Sequence, residues 1–283
     1  MKNQRLKKKL MRLTKSRQAV QHLFPFLVII VSLTVSGCAK KPWGNSLAEK
    51  EYEAGLHIAE ELFANSTECS KGFQSDLSLE YSNPLGKRTL SGFLMYSPGP
   101  NYKFVVSNPL GQPIVIIAGN QKKYEMINTL DSKFVSGGMT SFALRYKLPI
   151  HFLKGRWDDW LTAKNTIESE YITNISDDKR ERGIWVTVED KSGAKNISHL
   201  LIDPQKKIIL ERRLETNQNK PIGTISYSDF YLDQSCSQPQ TINITGLEYG
   251  TTINLRLAET ELNSHLIKYK LKAPKGYLRQ YRP

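Results

Sequence analysis

The sequence has few of the residues from which catalytic and metal sites are usually built. It carries three cysteines and five histidines in 283 residues, and His57, His151, His199 and His265 are scattered without metal-ligand spacing, while His22 belongs to a basic leader. No G-x-S-x-G elbow, Walker-type loop, dinucleotide glycine fingerprint or H-E-x-x-H helix occurs. Asp158-Asp159 are adjacent carboxylates, but they stand at the start of a short apolar pattern, where acids suit the first turn of a helix. The sequence therefore predicts neither an enzyme nor a protein with a metal or other cofactor. Basic blocks interleaved with aromatics are also missing, so nucleic acid is not an expected partner.

Long apolar runs are missing too. The longest, Leu23 to Val35, is too short for a spanning helix, which needs about 20 apolar residues. It follows a stretch, Met1 to Gln21, with eight Lys or Arg and no acid, which is the pattern of an export signal. The run ends in Val35-Ser36-Gly37-Cys38, which resembles the bacterial lipobox. That resemblance implies cleavage before Cys38 and lipidation of its thiol, giving a signal peptide over 1–37 and a membrane attachment through the lipid. An ordinary signal or an uncleaved anchor is the alternative. Once the leader's eight cations leave, the formal charge falls from +13 to +5, which removes the only compositional argument for a polyanionic partner. Cys69 and Cys236 remain as an even pair in a compartment where disulfides persist. They are either bonded, closing a long loop, or two buried thiols.

What is present is mostly alternation. A short polar stretch, 38–45, reads as a tether, and the body spans 46–283. Ser46 and Glu49 form a capping-box pattern. Tyr52, Leu56, Ile58, Ala59, Leu62 and Phe63 then share one helical face, with Lys50, Glu53, His57, Glu60 and Glu61 opposite. From Phe73 the period becomes two, and about a dozen short strands separated by turn signals follow up to Lys272. A helical pattern interrupts them between Met139 and Thr162 and is broken by Pro149. The expected fold is α+β: a single strongly curved antiparallel sheet, a half-open barrel, covered by the N-terminal helix and the central helical insertion. In Leu90–Tyr96, Tyr102–Val106 and Ile114–Ile117 both strand faces are apolar. This means either a core under helices or a hydrophobic cavity, for which Leu94, Tyr96, Phe104, Val106, Ile116, Phe142, Leu153 and Trp160 are the candidate lining residues.

One ordered set of motifs points further. Asn108-Pro109-Leu110-Gly111-Gln112 lies between the strands Tyr102–Ser107 and Ile114–Ala118. A tyrosine-bearing strand (Lys122–Ile127), Leu148-Pro149-Ile150 and Trp160-Leu161 follow. Behind a lipobox and a capped helix, this order over Ser46–Ala163 resembles LolB, the outer-membrane lipoprotein receptor. The resemblance implies an apolar cavity that accepts lipoprotein acyl chains and a soluble periplasmic carrier as partner. It also implies an outer-membrane location on the periplasmic side, and a protruding loop, Pro109, Leu110 and Gly111, whose leucine enters the membrane. From the residues alone, Leu110 either stands exposed or folds back onto the core. Ala39 occupies the place where an aspartate would resemble an inner-membrane retention signal. The alternative function is a non-catalytic envelope lipoprotein of the same fold that binds another lipid or a protein partner in sensing or assembly.

Overall fold

A computed structural model of the chain describes residues 41–68, 71–99, 101–146, 148, 150, 157–166, 171–189, 196–233, 236–247, 250–263 and 270–282. Cys38, Cys69 and Leu153 lie outside the described residues. Trp43 to Pro283 form one compact unit.

The alternating stretches all enter one sheet. In chain order the strands are β1 (Trp43–Ser46), β2 (Gly72–Asn83), β3 (Gly86–Ser97), β4 (Asn101–Ser107), β5 (Pro113–Gly119), β6 (Lys123–Asn128), β7 (Lys133–Gly138), β8 (Ile172–Asp178), β9 (Ile184–Glu189), β10 (Asn196–Asp203), β11 (Ile208–Thr216), β12 (Pro221–Asp233), β13 (Cys236–Thr245), β14 (Thr252–Asn263) and β15 (Leu278–Arg282). The helices are α1 (Glu49–Glu68), α2 (Met139–Tyr146) and α3 (Trp157–Leu161). Across the sheet the order is β1-β8-β9-β10-β11-β12-β13-β14-β2-β3-β4-β5-β6-β7-β15. Neighbours are antiparallel except β15, which lies parallel to β7.

The fold departs from the expected half-open barrel under helices. The sheet is open, with β1 and β15 as its two edges, and three described helices of 20, 8 and 5 residues cannot cover fifteen strands. Alternation reports which side of a strand is buried; it carries no information on whether the outer strands meet. The first and last strands also lie outside the expected set. Trp43–Ser46 falls partly within the stretch read as a tether, and Leu278–Arg282 lies beyond Lys272, where the expected strands end. β7 escaped notice because Ser136-Gly137-Gly138 dilutes its alternation. Ser46 is no helix cap either: its hydroxyl donates to Asn174 Oδ1 across the β1–β8 pair at 2.7 Å.

One face of the sheet carries the core. Register places Ile175, Val186, Leu200, Arg212, Ile225, Ile244 and Ile253 opposite one another in a single cross-strand row over seven strands, and its apolar members are buried or nearly so. Against this inner face lies α1 with the helical stripe read from the sequence. Ala59, Leu62 and Phe63 are buried, and Gly55 comes so close that a Cβ there would meet Ile175 Cγ2 at 3.0 Å.

On the outer face the β8–β11 half is held by charge. Arg182 grips Asp178 with Nε to Oδ2 and Nη2 to Oδ1, both 3.0 Å, and donates to Glu211 Oε2 at 3.0 Å. The indole of Trp185 adds a bond to Asp178 Oδ1 at 2.8 Å. Burial alone would raise the Asp178 pKa, but these donors outweigh it and hold the carboxyl at about 2.

Candidate functional site: an apolar cavity and its rim

A cavity of about 270 Å³ opens on the inner face of the β13–β5 region. Its floor is Ile244 from β13, Ile253 and Leu255 from β14, Leu79 from β2, Leu94 from β3, Tyr102 and Phe104 from β4 and Ile117 from β5. Its roof is Met139 and Phe142 of α2, Leu148, Trp160 and Leu161 of α3, and Leu247. Every lining residue except tyrosine and tryptophan is a hydrocarbon or thioether side chain. The Tyr102 hydroxyl is turned to Met139 Sδ at 3.4 Å, and burial pushes its pKa upward. Nothing in this wall attacks a bond or binds a charge. Its chemistry suits an aliphatic ligand.

Strand parity decides which sequence candidates reach the cavity. Leu94, Phe104, Phe142 and Trp160 line it. Tyr96 and Val106 share the inner face but lie buried beyond the cavity wall. Tyr96 has a different task, since its ring packs on Phe73 at 5.4 Å and its hydroxyl donates to Asp158 Oδ2 at 3.0 Å. Ile116 points the other way. Phe104 pairs with Ile117, so Ile116 falls on the outer face with its partners Val105 and Ile127. The C-terminal segment passes that face, where Leu271 N–H donates to Glu125 Oε2 at 2.6 Å. The inner apolar face of these strands is thus the cavity floor, and the outer one carries Val105, Ile116 and Ile127 on the side where Leu271 is bonded. Ile117, Tyr102, Leu79 and the β13–β14 residues were not among the candidates; opposite parity to Ile116 is the signal that would have found Ile117.

The roof is fastened by polar groups. Tyr227 donates to the Trp160 carbonyl at 2.8 Å and Gln238 to the Leu161 carbonyl at 3.3 Å. Asp159 is buried and accepts from Thr166 through Oγ1 at 2.8 Å and N–H at 3.2 Å. Burial raises its pKa to about 6 despite the nearby Arg212 cation and the Thr166 donors. Arg212, the one charged member of the inner row, donates from Nη2 to the Lys164 carbonyl. Lys164 itself is pulled down to about 8 by burial.

Leu110 stands 83 % exposed at the apex of the β4–β5 turn, so it does not fold back onto the core. The turn is built by Asn108, whose Oδ1 accepts from the N–H groups of Leu110 at 3.0 Å and Gln112 at 2.9 Å. Gly111 supplies the positive φ of 79° that closes it. Cys236 is buried at the start of β13 and shares a surface pocket with Leu62, Asn65 and Ser66 near the C-terminal end of α1. Among the described residues no group of three or more His, Cys, Asp or Glu is arranged to hold a metal.

No family model matches the sequence, and no curated protein does. The fold does have counterparts among solved structures. An outer membrane lipoprotein-sorting protein domain from Vibrio parahaemolyticus superposes with a TM-score of 0.50 at 13% identity, covering 76% of this chain and 94% of its own. A DUF1329 family protein from Desulfovibrio piger gives 0.54 at 9% identity, again over 76% and 94%. A LolA superfamily protein from Nitrosomonas europaea covers the same shares at 10% identity with a TM-score of 0.44. The first two show that this chain shares their fold, at identities that speak for the fold alone.

Proposed function

We propose that this chain is a lipid-anchored protein of a bacterial envelope that takes acyl chains into its inner-face cavity and delivers lipoproteins to the outer membrane. The observation that carries the reading is the wholly apolar lining of the cavity. Burial of an acyl chain there gains about 0.8 kcal/mol per CH₂, and transfer between two such cavities needs no nucleotide, cofactor or catalytic residue. The fold shared with an outer membrane lipoprotein-sorting domain supports it, as do the lipobox at Cys38 and the exposed Leu110. In this reading a soluble periplasmic carrier is the donor, and Pro109, Leu110 and Gly111 form the loop that meets the bilayer. Cys69 and Cys236 form a disulfide that staples the end of α1 to β13, a proposal favoured by the burial of Cys236 near that helix end.

The test is what the purified protein holds. Native mass spectrometry of protein isolated without exogenous lipid should reveal bound acylated molecules, and depletion in the cell should leave lipoproteins stranded on their carrier. An empty protein, together with unaltered outer-membrane lipoprotein content after depletion, would overturn the reading. An empty protein that retains a polypeptide partner would favour the sensor or assembly alternative.

A further inference from the structure

The turn that presents Leu110 is not unique in this chain. Ser107-Asn108-Pro109-Leu110-Gly111 is an exact repeat of Ser82-Asn83-Pro84-Leu85-Gly86; the copy at Leu85 closes a shorter turn than the copy at Leu110, yet both hold the leucine by the same asparagine bond. Asn83 Oδ1 accepts from Leu85 N–H at 2.9 Å, the same bond that Asn108 makes to Leu110 at 3.0 Å. In both the glycine after the leucine takes a positive φ, 150° at Gly86 and 79° at Gly111, and a Cβ at either would meet nothing. Leu85 is 96 % exposed.

A third tip completes the set. Asn128-Thr129-Leu130 turns β6 into β7, Asn128 Oδ1 accepts from Asp131 N–H at 3.1 Å, and Leu130 is 74 % exposed. Because β2 to β7 are consecutive antiparallel neighbours, the turns after β2, β4 and β6 all lie at one end of the sheet, with centres roughly 10 Å apart by strand spacing. The β2–β3 ribbon runs on past Ser91, the last residue of β3 paired with β4, so Leu85 stands outermost. Leu278 joins this end, since its N–H donates to Ser132 O beside the Leu130 turn.

Among the described turn apices the exposed leucines gather at this corner; the other strongly exposed leucines are Leu144 on α2 and Leu232 at the end of β12. At the same end of the other half, the β11–β12 turn is Asn217-Gln218-Asn219-Lys220. At the opposite end the described turns 98–99, 120–122, 179–183 and 204–207 hold no large apolar side chain. Exposed leucines on separate apices make points of contact rather than a continuous groove, which is poor geometry for a protein partner and good geometry for a fluid acyl layer. The flanking charge fits anionic headgroups. Arg88, Lys275 and Arg279 are exposed there, whereas Lys87 and Lys133 face Glu80 and Asp131.

We propose that Leu85, Leu110 and Leu130 together form a bilayer-contact rim at one corner of the sheet, with Leu85 as its leading point. This rests on the reading that the chain works at a membrane, and it enlarges that contact from one loop to three. The rim is also connected to the cavity. Leu79 lines the cavity and pairs across β2–β3 with Leu90, which is half exposed and lies on the same face toward Leu85. Between Leu90 and the leading tip the same face carries the Tyr81–Arg88 pair, so apolar contact near the cavity gives way to a cation near the headgroups.

The test places single cysteines at 85, 110 and 130 of the full-length lipidated protein, labels them with nitrobenzoxadiazole, and subtracts the signal of identically treated parent protein. Cysteines at 218 and 206 serve as controls. With vesicles of phosphatidylethanolamine and phosphatidylglycerol, the three rim probes should shift to shorter wavelength and become shielded from iodide, while 218 and 206 do not. Leu85→Glu should lower acyl delivery to these vesicles by about tenfold, the value of one buried leucine, without emptying the cavity. A response at 110 alone, or the same shift without vesicles, would overturn the rim and leave the cavity reading intact. An empty cavity with a normal rim response would do the reverse.

Discussion

Trp43 lies face to face with His199, their ring centroids 4.1 Å apart and their planes 24° from parallel. The same indole meets Trp185 edge-on at 5.4 Å, and the His199 ring lies within 3.0 Å of Thr187 Oγ1 and 3.5 Å of Glu215. A strand of four residues has little backbone pairing of its own, so these aromatic contacts hold β1 on the sheet. Trp43→Ala should cost roughly 2 kcal/mol, below the range of about 3–5 kcal/mol for truncating a core aromatic because the side chain is half-buried. Chemical denaturation measures it, and Trp43→Phe should recover most of the loss. Equal stability of Trp43→Ala and the parent would mean that β1 is an ornament.

Asp159 and Asp178 should give stability opposite dependences on pH. Asp159 binds its proton more tightly in the folded state, with a pKa of about 6 against an ordinary 3.8. Its contribution is therefore fully present below pH 3.8 and is lost as pH rises through 6, by an amount on the order of 3 kcal/mol. Asp178, held at about 2, contributes stability above the ordinary value that disappears as pH falls toward 2. Thermal melts between pH 4 and 7 should show a smaller decline for Asp159→Asn than for the parent. Parallel curves would mean that Asp159 is not a buried carboxylate in solution.

Leu110→Glu should leave thermal stability within about 0.5 kcal/mol, as for an exposed surface position. Acyl occupancy should persist, while delivery to vesicles falls, because a carboxylate is tolerated in water and costly at the acyl boundary. Unchanged delivery would remove the loop from the mechanism.

Filling the cavity separates a binding site from a packing defect. Ile117→Trp adds volume from the floor of β5 and should hold or raise the melting temperature while displacing bound acyl chains in native mass spectrometry. If occupancy is unaffected, the ligand sits elsewhere.

Cys38→Ala should yield a precursor that keeps its leader, because the thiol is the acceptor of the lipid in the lipobox reading. Its size on a gel and the absence of acyl label report the result; normal processing with tight membrane attachment would contradict it.

The residues were legible wherever one local period settles the matter. The buried stripe of α1 and most strands of the β2–β14 region follow from spacing, because a helix face and a strand face each repeat within a few residues. Leu94, Phe104, Phe142 and Trp160 reached the cavity for the same reason. Ile116 did not, because when both faces of a strand are apolar the sequence cannot say which one floors the cavity. Closure of the sheet was invisible for a related reason: it depends on whether β1 and β15 meet, a property of all the strands together. The second Ser-Asn-Pro-Leu-Gly was legible as a repeat and carried meaning only once strand directions put both copies at one end.

Both free margins of this large sheet are made by its shortest strands, four residues in β1 and five in β15. The second is Leu278-Arg279-Gln280-Tyr281-Arg282, laid parallel along β7. Unpaired strand edges invite the same edge of another molecule, and brevity and arginine discourage it. β15 thus acts as a selvedge. Without it, the glycine-ended β7 would offer a bare row of amides and carbonyls beside the Leu130 turn, and the molecule's solubility at high concentration would depend on how well five residues stay in place.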